Sequence, residues 1–310
     1  MENKHDADEL KKLKALPLDM KIEIAEARIL EFYHKMNGKI YVAFSGGKDS
    51  TVLLHLVRSI LPDTEAVFSN TGLEFPEIVE FVKSFENVTI IQPKISFREV
   101  IEKFGYPIIS KEVSRTIKYA KIAKKPNWAT KKLDGSRGRY DQSKYKFLID
   151  APFELNDMCC QIMKKEPFKI FGKKSGKYPI LGTTTDESRL RESGWIKTGC
   201  NNFKKGNEKS LPLSVWTEQD IWEYIKRYDL KIAKPYHMGY QRTGCVFCAF
   251  GAHLEKNPNR FQMLKQTHQN LYNYMMKPIS EGGLGFKVPL EYIGINIEPD
   301  EQISIYDLEK

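Results

Sequence analysis

Two groups of residues carry reactive side chains at spacings that suggest chemistry. The first is YVAFSGGKDST at residues 41–51, where an apolar run passes through two glycines into a helix-like pattern. A glycine pair lets the backbone turn tightly and aim several N–H groups at one point, which the positive end of the next helix also faces. Lys48 adds a point charge, Ser45, Ser50 and Thr51 add hydroxyls, and Asp49 adds a carboxylate that caps the helix or holds a magnesium ion. Such a loop is an anion cradle. The Walker A pattern GxxxxGK[ST] and the dinucleotide pattern GxGxxG are both absent, and an ordinary capped strand-to-helix turn is the plain alternative.

The second group is Cys159-Cys160 together with Cys245 and Cys248, a CC pair and a CxxC pair separated by 84 residues. Four thiolates suit zinc or an iron–sulfur cluster by softness and number. Adjacent cysteines fit poorly into a regular zinc knuckle, which takes two spaced pairs. Buried free thiols are a third reading. The fifth cysteine, Cys200 in KTGCNNF, reads as a packing residue or as a sulfur-carrying nucleophile.

The elements that must position these groups follow from periodicity. Ile22, Ala25, Ile29, Phe32 and Met36 recur at helical steps, so a helix is expected over residues 19–36, stopped by Gly38. Strands at 40–44, 65–69 and 88–92 then alternate with helices at 51–61, 76–85 and 97–104, which implies parallel pairing with right-handed crossovers. A strand at 178–181, a helix at 217–228 and one long helix at 258–276 complete the expected elements. The fold class is α/β, a parallel sheet with helices on both faces, and three parts are expected: an N-terminal helical extension at 1–37, the central domain at 38–250, and a C-terminal helical tail at 251–310.

At 310 residues and 41% apolar, the chain can bury one large core with a smaller appendage. No eighteen-residue apolar run or secretory pattern is present, so a soluble cytoplasmic protein with no membrane partner is expected. The net charge of +9 is concentrated: between Lys111 and Lys146 stand twelve Lys and Arg against three acids. This segment, about 111–147, has few apolar residues and interleaved Trp128, Tyr140 and Tyr145. It reads as an excursion from the sheet that serves as a contact surface for DNA or tRNA, as a docking surface for an acidic protein, or simply as a solubilising loop.

The motif SGGKDS at 45–50 resembles the PP-loop of the adenine nucleotide alpha-hydrolase superfamily. FSNTGLEF at 68–75, LGTTTDESR at 181–189 and the LPL and WTEQDI pieces at 211–221 are similar to motifs of its phosphoadenosine phosphosulfate (PAPS) reductase family. The resemblance covers about residues 38–250. It implies a Rossmann-like nucleotide fold, with adenine and ribose against Ala43, Asn70, Thr71, Gly72 and Gly182, and phosphates on Ser45, Gly46, Gly47, Lys48, Asp49, Ser50 and Thr51. Arg189 and Arg191 would reach the leaving phosphates, or else form a solvated helix start beside Glu187 and Glu192. Lys48, Asp49, Ser50 and Arg189 are the implied catalytic set.

CC with a distant CxxC, led by Gly239-Tyr240 and Gly244, resembles the 4Fe-4S site of reductases acting on adenosine phosphosulfate, so the resemblance favours a cluster over zinc. Lys164 would stand near its sulfurs; Met163 occupies a place where the family often has arginine. The reductases carry an attacking thiol beyond the cluster cysteines, and no cysteine follows Cys248. With the full PP-loop, this favours an ATP pyrophosphatase that uses ATP and Mg2+ and adenylylates a substrate. Among iron–sulfur relatives the chain looks most like the ATPase component of bacterial DNA phosphorothioation, which implies sulfur incorporation into nucleic acid and a sulfur-donor protein such as a cysteine desulfurase. The alternatives are an adenosine phosphosulfate or PAPS reductase using Cys200, and a non-catalytic, nucleotide-gated binding protein.

Overall fold

The computed structural model describes residues 5–122, 127–136 and 138–298, with the side chain of Arg139 also excluded. Lys124, Lys125 and Arg137 of the basic segment lie outside the described residues. In chain order the strands are β1 (Ile40–Ala43), β2 (Ala66–Ser69), β3 (Val88–Ile91), β4 (Ile108–Ile109), β5 (Tyr178–Leu181), β6 (Asn201–Asn202), β7 (Lys209–Ser210) and β8 (Ala249–Phe250). The helices are α1 (Ala7–Lys14), α2 (Leu18–Lys35), α3 (Lys48–Ile60), α4 (Pro76–Lys83), α5 (Phe97–Phe104), α6 (Lys111–Lys121), α7 (Asn127–Leu133), α8 (Glu166–Ser175), α9 (Arg189–Thr198), α10 (Glu218–Arg227), α11 (Arg260–Thr267), α12 (Gln269–Met276) and α13 (Lys287–Tyr292). Among the described residues no helix is long and apolar enough to cross a membrane.

The chain forms two compact units. The first comprises Met1–Pro93 and Glu166–Gly244, the second Lys94–Lys165 and Cys245–Lys310. The stretch 38–250 expected as one domain therefore contributes to both.

In the first unit, six strands lie in the order β3-β2-β1-β5-β7-β6. β1 pairs in parallel with β2 (Val42 opposite Ala66) and with β5 (Val42 opposite Ile180); β6 runs antiparallel to β7. The class is the expected α/β, a mostly parallel sheet with covering helices. Its central strands read IYVA and AVFS, continuous apolar and β-branched runs rather than alternating ones, because both faces are covered. The parallel strands β1, β2 and β5 all end on the same edge of the sheet, and the order reverses between β1 and β5. That crevice is where open α/β sheets take their ligands.

The second unit holds the two-stranded parallel pair β4–β8 with α5 to α7 and α11 to α13. Here the structure departs from the sequence reading. Residues 111–121 and 127–133 of the basic segment are helical. In α6, capped by Ser110, the residues Val113, Ile117 and Ala120 are buried at helical spacing. Their periodicity is diluted in sequence by the lysines between them. The single helix expected over 258–276 is broken at His268, whose non-helical backbone (φ −139°, ψ 61°) ends α11 and starts α12.

One buried ion pair anchors the first unit. Lys21 of α2 is 2% exposed and its ammonium meets the Asp220 carboxylate at 2.6 Å. The same carboxylate accepts the Thr217 N–H and hydroxyl at 2.6 and 2.8 Å, completing a capping box that fixes the start of α10. Truncating one partner of such a pair leaves an uncompensated buried charge. Lys21→Met should therefore lower unfolding free energy by about 3–5 kcal/mol in urea titration, and adding Asp220→Asn should recover part of that loss; a loss under about 1 kcal/mol would contradict this account.

Candidate functional site

The loop after β1 folds as a cradle at the head of α3. Gly46 has φ +72°, a left-handed backbone, and a Cβ there would stand 2.9 Å from the methyls of Ile78 and Val82. Only glycine fits both demands. From the other side, a Cβ on Gly182 would reach 2.9 Å from the Asp49 carbonyl oxygen, so β5 and α3 also approach backbone to backbone. Gly47 is the N-cap and supplies no side-chain cap. Asp49 lies inside the first turn, so of its two expected roles capping is not the one it performs.

Hydroxyls knit the turn together. Ser50 Oγ donates to the Gly47 carbonyl at 2.9 Å and accepts the Ser45 N–H at 3.2 Å, and Thr51 Oγ1 donates to the same carbonyl at 3.1 Å. The N–H groups of Asp49 and Ser50 have no partner in the protein among the described residues. They are the free donors of a helix N-terminus.

Lys48 is 8% exposed, and its ammonium lies 3.3 Å from Asp49 and 3.4 Å from Glu218. The ring of Trp222 is 5.9 Å away. Burial pulls the ammonium's pKa down, but Asp49, Glu218 and Tyr236 outweigh it and leave Lys48 above the ordinary lysine value. It stays charged. The Lys48 N–H donates to Tyr236 Oη at 2.8 Å, and that oxygen is 3.2 Å from Thr243 Oγ1. Sequence reading missed Glu218, Trp222, Tyr236 and Thr243. Glu218 and its neighbours lie inside the WTEQDI motif, and Tyr236 precedes the Gly239-Tyr240 lead-in, so a signal existed but did not name the residues.

The remaining loop residues sit at the same strand ends. Ala43 ends β1. Asn70 Oδ1 accepts the Gly72 N–H at 3.2 Å, and Thr71 bonds Glu74 through both its N–H and hydroxyl at 3.0 and 2.7 Å. Gly72 has φ +71° with open space where a Cβ would stand. Arg189 is exposed at the start of α9 with no ion pair among the described residues, whereas Arg191 is engaged by Glu187.

The cysteines gather in the second unit. β8 directly follows Cys248 and pairs with β4, which leads through Ser110 into Lys111. The Asn156 side chain, 1% exposed, accepts the Met158 and Cys159 N–H groups at 2.6 and 3.1 Å and fixes the approach to the CC pair. Cys248 closes a turn onto the Cys245 carbonyl at 3.1 Å, and Arg260 Nη1 donates to the Cys248 carbonyl at 2.8 Å. Cys159 is pushed up by its hydrogen bond with Cys160, by burial, and by Cys160, Cys245 and Cys248. The same hydrogen bond, with Lys111 and Lys164, holds Cys160 below the ordinary thiol range against the effect of burial. All four thiols thus share one neighbourhood. Among the described residues no three His, Cys, Asp or Glu side chains are grouped so that they could hold a metal ion. Lys164 is where the sequence placed it; Lys111 and Asn156 were not foreseen.

Cys200 lies in the first unit, 8% exposed, and burial raises its thiol's pKa. On the basic segment, the Arg115 guanidinium lies over Tyr119, Tyr119 leans on Trp128 at 5.4 Å, and Lys132 lies over Trp128. Lys118 and Lys121 face Asp157 and Glu154 at 4.0 and 3.3 Å, and Lys132 is taken by Glu112. Arg115, Lys144 and Lys146 make no ion pair among the described residues, and Tyr140 is 56% exposed.

Known proteins are similar to this chain over much of its length. An uncharacterized protein of Methanocaldococcus jannaschii is 27% identical over 270 residues, 82% of this chain but 51% of that protein, so the chain spans about half the length of this relative. The adenosine 5'-phosphosulfate reductase of Staphylococcus haemolyticus is 26% identical over 222 residues, 71% of this chain and 74% of that one. Among solved structures, a PAPS reductase from Candida auris in a phosphate complex is similar with a TM-score of 0.45 at 15% identity, covering 77% of this chain and 95% of that chain. The phosphoadenosine phosphosulfate reductase domain matches residues 39–250, a span that begins at β1, ends at β8 and holds both the cradle and all four gathered cysteines, and the chain belongs to that family.

Proposed function

We propose that the chain is an ATP pyrophosphatase, which cleaves ATP between its α and β phosphates and transfers the adenylyl group to a substrate in the course of inserting sulfur into nucleic acid. The observation that carries this reading is the first turn of α3, where two partnerless amides and a buried ammonium converge at the point of sheet reversal. In this reading adenine and ribose lie along Ala43, Asn70, Thr71, Gly72 and Gly182, and the phosphates on residues 45–51. Asp49 would hold a magnesium ion, which would supply positive charge to the phosphates; the exposed Arg189 would meet the leaving phosphates, with Arg191 available on release from Glu187. A substrate oxygen attacks the α phosphorus in line, the α–β bridging bond breaks, and pyrophosphate leaves with the electron pair, its charge met by the loop amides and Lys48.

The four thiols suit a 4Fe-4S cluster, with Lys111 and Lys164 beside Cys160 as outer-shell cations; zinc is the second choice for the same donors. Bound there, a cluster would supply sulfur ligation or electron transfer. The partners in this reading are DNA or tRNA on the basic face and a sulfur-donor protein such as a cysteine desulfurase, in the cytoplasm, where thiols stay reduced.

A phosphosulfate reductase is the second reading, favoured by the Staphylococcus haemolyticus relative, which bears that name. It requires an attacking thiolate, and burial keeps Cys200 protonated.

Three outcomes are expected. Anaerobically purified protein with magnesium and labelled ATP releases AMP and pyrophosphate, and Lys48→Ala lowers that rate by about 100-fold or more; release of ADP and phosphate alone contradicts the pyrophosphatase, and sulfite released from adenosine phosphosulfate promotes the reductase. The same preparation is brown, with visible absorbance lost in Cys160→Ser, whereas a colourless protein with stoichiometric zinc overturns the cluster. Duplex DNA or tRNA binds with a salt dependence whose slope shrinks by about one for each of Arg115→Gln and Lys144→Gln, since each removes one phosphate contact; an unchanged slope moves the interface elsewhere.

A further inference from the structure

Lys48 offers a phosphate chain two separate points of attachment, its backbone N–H and its ammonium, and the chain's own groups engage both. Tyr236 Oη accepts the N–H at 2.8 Å, the place an oxyanion takes at a helix N-terminus, and Glu218 Oε1 stands 3.4 Å from the ammonium. Tyr236 and Thr243 also roof the loop: a Cβ on Gly47 would be 3.0 Å from Thr243 Oγ1 and 3.4 Å from Tyr236 Oη. An oxyanion cannot reach the Lys48 amide while that hydroxyl stays.

Both groups are built to move. Glu218 is the first residue of α10 and its side chain is 66% exposed, so it can swing into water with little loss. Tyr236 sits on a single turn, Lys234–Met238, closed by Gly239 at φ +90°, so its departure does not drag a long helix. Asp49, by contrast, is fixed within α3. The ring of Trp222 lies edge-on to Tyr236 at 5.9 Å and the same distance from the Lys48 ammonium, and reports on either change.

We propose that Tyr236 and Glu218 are displaceable stand-ins for phosphate oxygens, which makes Tyr236 a specificity-determining residue: the loop accepts ligands that bring two linked oxyanions, one for the Lys48 amide and one for its ammonium. A diphosphate replaces both stand-ins, a single phosphate only one. The inference rests on the nucleotide reading of the loop and adds to it a sign. A residue that merely supports the loop weakens binding when altered, whereas a competitor strengthens it.

The test is calorimetric titration of the full chain with magnesium pyrophosphate and with ATP, followed in parallel by tryptophan emission, with Trp222→Phe assigning the part of the signal that comes from Trp222. Tyr236→Phe removes one hydroxyl and keeps the ring; it should tighten both ligands by the same factor, about 2- to 10-fold, the range set by losing one competing hydrogen bond. Glu218→Gln, at an exposed position, should also tighten both and provides the same comparison should Tyr236→Phe fold poorly. Unchanged or weaker binding in the variants, beside a wild type that binds, overturns this proposal alone. A folded wild type that binds neither ligand brings down the nucleotide reading and this proposal with it.

Discussion

In the proposed function the first turn of α3 receives an anion because glycines on both sides keep side chains out of it. Gly46 turns into it through a left-handed conformation, and Gly182 at the end of β5 comes against the Asp49 carbonyl where any Cβ would collide. The first packs the loop after β1 against Ile78 and Val82 of α4, and the second holds the end of β5 against the start of α3, where the strand order reverses and the amides of Asp49 and Ser50 have no protein partner among the described residues. A larger residue at either glycine would separate the elements whose closeness defines the site.

Burying Lys48 inside this turn creates a second requirement, because a buried ammonium must find compensating charge. Asp49 gives part of it locally; the rest comes from Glu218, on a helix far along the chain. Glu218 is in reach because α10 starts where it does, and that start is set by Asp220, shared between the Thr217 capping box and the ammonium of Lys21. The N-terminal helix α2 therefore acts on the cradle through a chain of charges: Lys21 fixes Asp220, Asp220 fixes the α10 terminus, and the terminus presents Glu218 and Trp222 to Lys48.

What the sequence revealed follows this division between local and distant causes. The strands around the cradle, the glycine turn and the two cysteine pairs are local patterns, and all appear within a residue or two of where they were read; β5 and α5 match fully. The start of α10 was read one residue early, at its cap Thr217. Helix α6 escaped because its buried positions, Val113, Ile117 and Ala120, are separated by lysines and arginine that dominate composition. The break at His268 escaped because the apolar period continues across it. Tyr236 lies 188 residues from the Lys48 N–H it accepts, and Lys111 comes beside Cys160 where the Tyr106–Leu155 bridge joins their two segments. Neither distance is encoded in any local period.

The two candidate centres solve opposite electrostatic problems. Around Lys48 the protein gathers acids to hold a cation; around the cysteines it gathers cations, with Lys111 and Lys164 beside Cys160 and Arg260 on the Cys248 carbonyl. Four neighbouring thiols deprotonated together would repel one another, and the strong upward push on the buried Cys159 comes from its hydrogen bond with Cys160 and from burial, with that repulsion added. Two lysines cannot balance four thiolates. The arrangement is therefore stable with most of the thiols protonated, or with further positive charge brought by a thiolate-binding centre of the kind proposed above. Packing alone is met by any small apolar residue at those positions.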